Sequence, residues 1–249
     1  MRFFNVVSAL LLSALTTALP EVKRAAELPL STKGRDIIDA NGDVFHFIST
    51  NWPGHQEVMV PEGLQHSSIK DIVSWFPKFG LNSVRLTFAI EMVDDYLANS
   101  PNQTLEKSFI NALGQTNGTK VLDQILEKNP DFTKDTTRLE VWDAVAEELS
   151  RQGVIIHLDN HVSKAFWCCG DNDGNGWFGE KFFDVEKWKR GLAWLTTHVS
   201  RPWKARTFSV LTTFRRRRTG QPSPPSVCAT SSGLRPLPSP LIGTRGTCT

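Results

Sequence analysis

Between residues 35 and 200 the apolar positions switch repeatedly between a period of two and a period near 3.6. Arg35-Asp36-Ile37-Ile38-Asp39-Ala40-Asn41-Gly42-Asp43 predicts a short strand and an Asn-Gly hairpin turn. A second strand is expected over Val44 to Ser49, running into a Thr50-Asn51-Trp52-Pro53-Gly54 loop. Ser67 or Ser68 then caps a helix through Phe79, with Ile69, Ile72, Val73 and Phe76 on one face and Gly80 as its stop. Asn82 to Phe88 is an apolar strand interrupted by Arg85. A long excursion over residues 91–137 holds two short helical patterns, Thr104–Leu113 and Thr119–Glu127. Thr136 or Thr137 caps an amphipathic helix through Leu149, and Val154-Ile155-Ile156-His157-Leu158 reads as a buried strand. A Gly-rich aromatic loop, Trp167 to Gly179, leads into a helix from Asp184 to about His198.

Alternating strands and helices mean a parallel sheet covered by helices. Doubly wound sheets and (β/α)8 barrels both fit. A hairpin ahead of the first strand would plug a barrel's base, and polar residues cluster just after each strand, where a barrel builds its active face. The expected fold is therefore α/β, the first half or so of an incomplete (β/α)8 TIM barrel, followed by a disordered tail. Residues 1–24 are read as signal peptide and short propeptide, 25–200 as the barrel part, and 201–249 as the tail.

Charge separates the last two segments. Residues 1–200 carry 19 Lys+Arg against all 26 Asp+Glu, whereas 201–249 carry nine Lys+Arg and no Asp, Glu, Asn or His. The overall +2 is a cancellation and points to no partner. The tail's seven prolines, four glycines and fourteen Ser/Thr offer little apolar surface to offset ordering entropy. So abrupt a change in composition also fits a frameshift or an unspliced intron. Arg215 to Arg218 would suit nucleic acid, but the N-terminus argues against that partner.

Arg2 followed by the mostly apolar run Phe3 to Leu15, with Thr16 and Ala18 as small residues, reads as a secretory signal. Pro20, Glu21 and Lys23 close the run well short of the ~20 residues a bilayer span needs. Lys23-Arg24 fits a dibasic processing site. The expectation is an extracellular protein, free of the membrane after signal cleavage, with N-glycosylation at Asn102 and Asn117. Cys168 and Cys169 are adjacent, Cys228 and Cys248 lie in the tail, and no C-x-x-C occurs, so the pairing stays open.

Candidate chemistry centres on His157-Leu158-Asp159-Asn160-His161. Alternate residues of a strand share a face, which aims His157, Asp159 and His161 the same way. They could form a metal site, a polar layer for substrate with His161 at the strand's end, or a hydrogen-bonded structural cluster. Arg85 needs a carboxylate partner if buried. Trp52, Trp167 and Trp177 fall in predicted loops, where flat rings can stack on sugar faces as readily as they pack a core.

Taken together, Phe47-Ile48-Ser49-Thr50-Asn51-Trp52-Pro53-Gly54, Val84-Arg85-Leu86-Thr87-Phe88, Ile155-Ile156-His157-Leu158-Asp159-Asn160-His161 and Cys168-Cys169-Gly170-Asp171-Asn172-Asp173-Gly174-Asn175-Gly176-Trp177-Phe178-Gly179 resemble glycoside hydrolase family 5, in its fungal cellulase-like branch. The resemblance covers residues 28–200. It implies a (β/α)8 barrel and retaining hydrolysis of β-linked glucans or mannans, with no cofactor and no metal. It also implies substrate-site roles for Arg85, His161, Asn51 and Trp52, beside Asp159, Trp167 and Trp177.

The family's acid/base and nucleophilic Glu follow its fourth and seventh strands, and no Glu occurs after residue 200. Retaining chemistry needs two carboxyl groups ~5–5.5 Å apart, and no pair upstream sits at the required strand ends. No catalytic residue is therefore assigned, and the chain is expected to be a truncated, inactive hydrolase. The alternatives are a non-catalytic carbohydrate binder and a metal-dependent barrel hydrolase built on His157, Asp159 and His161.

Overall fold

The computed structural model describes residues 26–100, 103–167, 170, 173–175, 178–199 and 208–211. Two turns, rather than one, precede the main sheet. Strands β1 (Ser31–Lys33) and β2 (Asp36–Ile38) pair antiparallel across Gly34-Arg35. The Asn41-Gly42 turn follows, with Gly42 at φ 88°. There the Asp39 carboxylate accepts from the N–H groups of Asn41 (2.9 Å) and Asp43 (3.1 Å). The strand expected over Val44 to Ser49 does not form beyond a single bridge between Val44 and Ile38. Phe45 and Phe47 pack edge to face instead, and Phe47 meets the His157 ring at 4.4 Å. Burying these rings against the sheet takes the place of pairing.

The main sheet is parallel, in the order β3 (Ser49–Pro53), β4 (Ser83–Ala89), β5 (Ile155–Val162), β6 (Phe208–Leu211). Strand β3 thus runs through Thr50-Asn51-Trp52-Pro53, which the pattern had assigned to a loop. Strand β5 continues four residues past Leu158, where Asp159 pairs with Arg85 on β4 and His161 with Asp159 on β5 itself. Within the segment expected to be a structureless tail, Phe208–Leu211 lie beside β5 as a fourth strand. The rest of that segment, like the signal and propeptide, lies outside the described residues.

Helix α1 (Ile69–Lys78) starts where Ser68 Oγ accepts from the Asp71 N–H, and Ile69, Val73 and Phe76 form its buried stripe. Helix α2 (Ile90–Leu97) was hidden in the excursion, because it leaves β4 with no connecting loop and no side-chain cap. The two helical patterns beyond it are the halves of α3 (Leu105–Lys128), which is broken at Gly114 by a left-handed φ of 78°. Thr137 begins α4 (Arg138–Arg151) with a reciprocal capping box to Glu140. Helix α5 (Val185–Val199) brings Trp188, Leu192 and Leu195 into the core. Among the described residues no helix is long and apolar enough to cross a membrane.

The two faces of the sheet differ in kind. Trp52, Val84, Leu86, Phe88, Ile156 and Leu158 are all buried in the hydrophobic core with α1, α4 and α5. The alternate residues Asn51, Arg85, Thr87, His157, Asp159 and His161 form the opposite, polar face. Gly54 closes the connection after β3 against the Trp142 indole. A Cβ there would meet Trp142 Cζ2 at 2.6 Å and the Thr87 carbonyl oxygen at 3.1 Å. Gly54→Ala is expected to cost about 1–3 kcal/mol by overpacking. Urea denaturation should show a lower midpoint at an unchanged slope.

Candidate functional site

Parallel register sets the polar face in levels. Asn51, Arg85 and His157 lie side by side on β3, β4 and β5, and Pro53, Thr87 and Asp159 lie at the next level. Beyond Phe88 the register shifts at a bulge, and His161 projects above Asp159 at the C-terminal end of β5. The Asp159 carboxylate is wholly buried, with 0% exposure. Arg85 reaches up one level and donates to its Oδ2 at 2.6 Å, while His161 Nδ1 donates to the same oxygen at 2.9 Å. The 3.3 Å separation between Arg85 and His161 Nδ1 follows from two donors converging on one acceptor.

His55, which the motif reading passed over, completes the group. It is 6% exposed, with Nδ1 2.7 Å from Thr87 Oγ1 and its ring 4.3 Å from that of His161. Thr87 Oγ1 also accepts from the Gly54 N–H at 3.2 Å. Burial first, then the neighbouring His161 and Arg85, push the His55 pKa down to about 4, against the opposing pull of Asp159. His55 is therefore neutral near pH 7. Its signal in the sequence was a histidine directly after an Asn-Trp-Pro-Gly run; nothing local showed that it would meet a residue 106 positions away.

The remaining predicted residues divide. Asn51 is exposed on the polar face, level with Arg85. Trp167 is 74% exposed just beyond β5, open to a ligand. Trp52 is a correction. Its ring is buried on the opposite side of β3, edge-on to Phe76 at 5.8 Å, with Nε1 donating to the Glu62 carbonyl. Inside a strand it alternates away from Asn51, so it is a core residue. The metal reading of His157, Asp159 and His161 fails on geometry as well. Asp159 directs its carboxylate to Arg85 and His161, and His157 packs against Phe47. Asn117 is exposed on α3, whereas Asn102, Trp177, Cys168 and Cys169 lie outside the described residues.

No family model matches the chain. A glycosyl hydrolase 5 family protein from Chamaecyparis obtusa is 36% identical over 174 residues, which is 70% of this chain and 30% of that protein. The catalytic domain of the major endoglucanase from Xanthomonas campestris pv. campestris superposes with a TM-score of 0.53 at 18% identity, over 73% of this chain and 44% of the other. A hyperthermophilic endocellulase from the archaeon Pyrococcus horikoshii gives 0.53 at 17% identity, over 75% and 43%. The chain thus spans less than half the length of each. The family 5 resemblance carried by the motifs is borne out by the first of these proteins. The two structures bear out an α/β fold of parallel sheet and helices like that of endocellulase barrels.

The His55 shift sets a stability slope. As pH falls through about 6.5 the unfolded chain takes up a proton that the folded site refuses until about 4. The unfolded state then binds more protons, so stability is complete above 6.5 and declines below it, by about 3 kcal/mol at pH 4. Burial of His157 acts in the same direction. Urea denaturation at pH 7 and pH 4.5 should show a smaller loss in His55→Phe than in the parent chain. Arg85→Met is expected to cost about 3–5 kcal/mol by stranding the Asp159 charge, and adding Asp159→Asn should recover much of that loss.

Proposed function

From its likeness to a family 5 glycosyl hydrolase over most of its length, we propose that this chain forms the N-terminal part of a secreted β-glycosidase barrel of the retaining type, with β-linked glucan as its ligand. One observation carries the reading: a buried carboxylate on β5 holds together a guanidinium from the body of β4 and an imidazole at the C-terminal end of β5. That end of a barrel is where side chains from several strands converge on a substrate. Arg85 and His161 are pre-oriented by Asp159, so little reorganisation is needed when they meet a sugar hydroxyl or a reacting carboxylate. Asn51 beside Arg85 can bond a hydroxyl, and the exposed Trp167 ring can stack on a sugar face. The Pyrococcus horikoshii endocellulase has been solved with cellotetraose, which supports a β-linked oligosaccharide as the probe.

Retaining hydrolysis needs one carboxyl group to attack the anomeric carbon and another, ~5–5.5 Å away, to protonate the leaving oxygen. On the polar faces of β3, β4 and β5, Asp159 is the one carboxylate, and it is already neutralised by Arg85. The described residues therefore bind and orient, and the acid/base and nucleophile of the proposed reaction are not among them. This favours carbohydrate binding without turnover as the reading for the 249 residues themselves.

The chain is expected to bind cellotetraose in calorimetry and to release no reducing sugar from β-glucan above buffer. Arg85→Ala or His161→Ala should weaken binding about tenfold or more, which corresponds to about 1.4 kcal/mol. Turnover by the unaltered chain would place a catalytic carboxyl pair within it and overturn the binding-only reading. Affinity unchanged in both variants would remove the triad from the site.

A further inference from the structure

Two margins of the main sheet are left without a neighbour. Among the described residues β3 pairs only with β4 and β6 only with β5, and all four strands run the same way. Stable proteins commonly blunt such edges with charge, with proline or with a covering element. Ser49-Thr50-Asn51-Trp52 and Phe208-Ser209-Val210-Leu211 carry no charge, and Pro53 stands only at the last position of β3. Both edges can therefore accept a further strand.

Beside the β3 edge, on the helix side, lies an apolar groove of about 550 Å³ lined by Thr50, Glu62, Ile72, Trp75, Phe79 and Leu81. Trp75 on α1 and Phe79 at its end stack at 5.6 Å, with Lys78 Nζ 4.4 Å from the centre of the indole. The two rings are 51% and 70% exposed, whereas Ile69, Val73 and Phe76 of the same helix are buried. In a barrel, the groove between a helix and a strand edge is filled by the neighbouring strand–helix unit.

Strand direction decides which unit fits. Eight parallel strands close a barrel, and four are described here. A two-fold rotation about the barrel axis preserves strand direction. It sets β6 of each copy beside β3 of the other, so that both free edges disappear at once. Charge favours the same arrangement. Parallel neighbours end on the same face, and Arg215 to Arg218 begin four residues beyond the end of β6. They would emerge beside the other copy's segment after β3, where Glu57 and Glu62 are exposed and form no ion pair among the described residues.

We propose that the β3 edge and its apolar groove are a self-association face. Two copies of the chain join β6 of each to β3 of the other and close one eight-stranded barrel, with both polar faces inside. The inference rests on the barrel-like course of the sheet and not on whether the Arg85–Asp159–His161 group binds sugar.

The test is sedimentation of the full chain with its thiols reduced, together with amide exchange. A species of twice the 27.9 kDa chain mass, and none larger, is expected. Exchange at Ser49–Trp52 and at Phe208–Leu211 should slow together as rising concentration carries monomer into dimer. Trp75→Glu combined with Phe79→Glu should raise the dimer dissociation constant about tenfold or more. Both side chains are more than half exposed, so far-ultraviolet circular dichroism should match the parent's. Replacing Arg215 to Arg218 by alanine alters no described residue. It should raise the constant about fivefold or more and flatten its dependence on salt between about 0.1 and 1 M. If the groove variant fails to fold, the arginine variant decides alone. A monomer at every concentration, assembly beyond two copies, slowed exchange in β3 alone, or a parent-like constant in either folded variant would each overturn the inference.

Discussion

A carboxylate with no solvent exposure must find its donors inside the protein, and the arrangement around Asp159 follows from that demand. Arg85 and His161 supply donors from different strands, both to one oxygen. Each is held in turn. Arg85 stands level with Asn51 and His157 in the sheet, and His161 is backed by the His55 ring. Removing either donor would leave charge in a low-dielectric setting, so the ion pair and the register of β4 against β5 support one another. The uncharged state of His55 belongs to the same balance. A second cation there would face Arg85 and compete with His161 for the one carboxylate.

The sheet separates this chemistry from the packing that holds it. On the helix side, large apolar residues alternate along β4 and β5 and meet α1, α4 and α5. On the other side the same strands present polar residues, with Arg85, Asp159 and His161 held by one another, His157 against Phe47, and Asn51 open to solvent. A parallel sheet in a self-contained α/β domain is covered on both faces. Here the described helices cover one, and Phe45 and Phe47 reach the other only near its N-terminal end. A polar inner face that narrows to a few charged groups at the strands' C-terminal ends is the local geometry of a barrel interior. The TM-scores near 0.5, over less than half of each solved endocellulase, agree with a barrel portion.

Legibility in the sequence followed the range of the forces involved. Ser68 and Thr137 were readable as caps because capping is settled within four residues, and the α3 halves were readable because Gly114 interrupts their pattern locally. The strand expected at Val44–Ser49 was not correct, since whether Phe45 and Phe47 pair or pack depends on His157, more than a hundred positions away. Helix α2 escaped notice because it follows its strand with neither cap nor loop. Trp52 was open to either ligand stacking or core packing, and one step of strand alternation sends it to the core.

The sequence alone determined the alternation of strands and helices apart from α2 and β6, the presence of Arg85 in an apolar strand, and the shared orientation of His157, Asp159 and His161. These depend on side-chain periodicity, which the backbone imposes wherever it forms. Only the tertiary structure decided which groups meet. It joined Arg85 to Asp159, set His157 apart on Phe47, brought His55 over His161, and left an apolar groove beside the β3 edge. The reason is that register between strands is fixed by the sum of contacts along both faces of the sheet, and no single segment contains that sum.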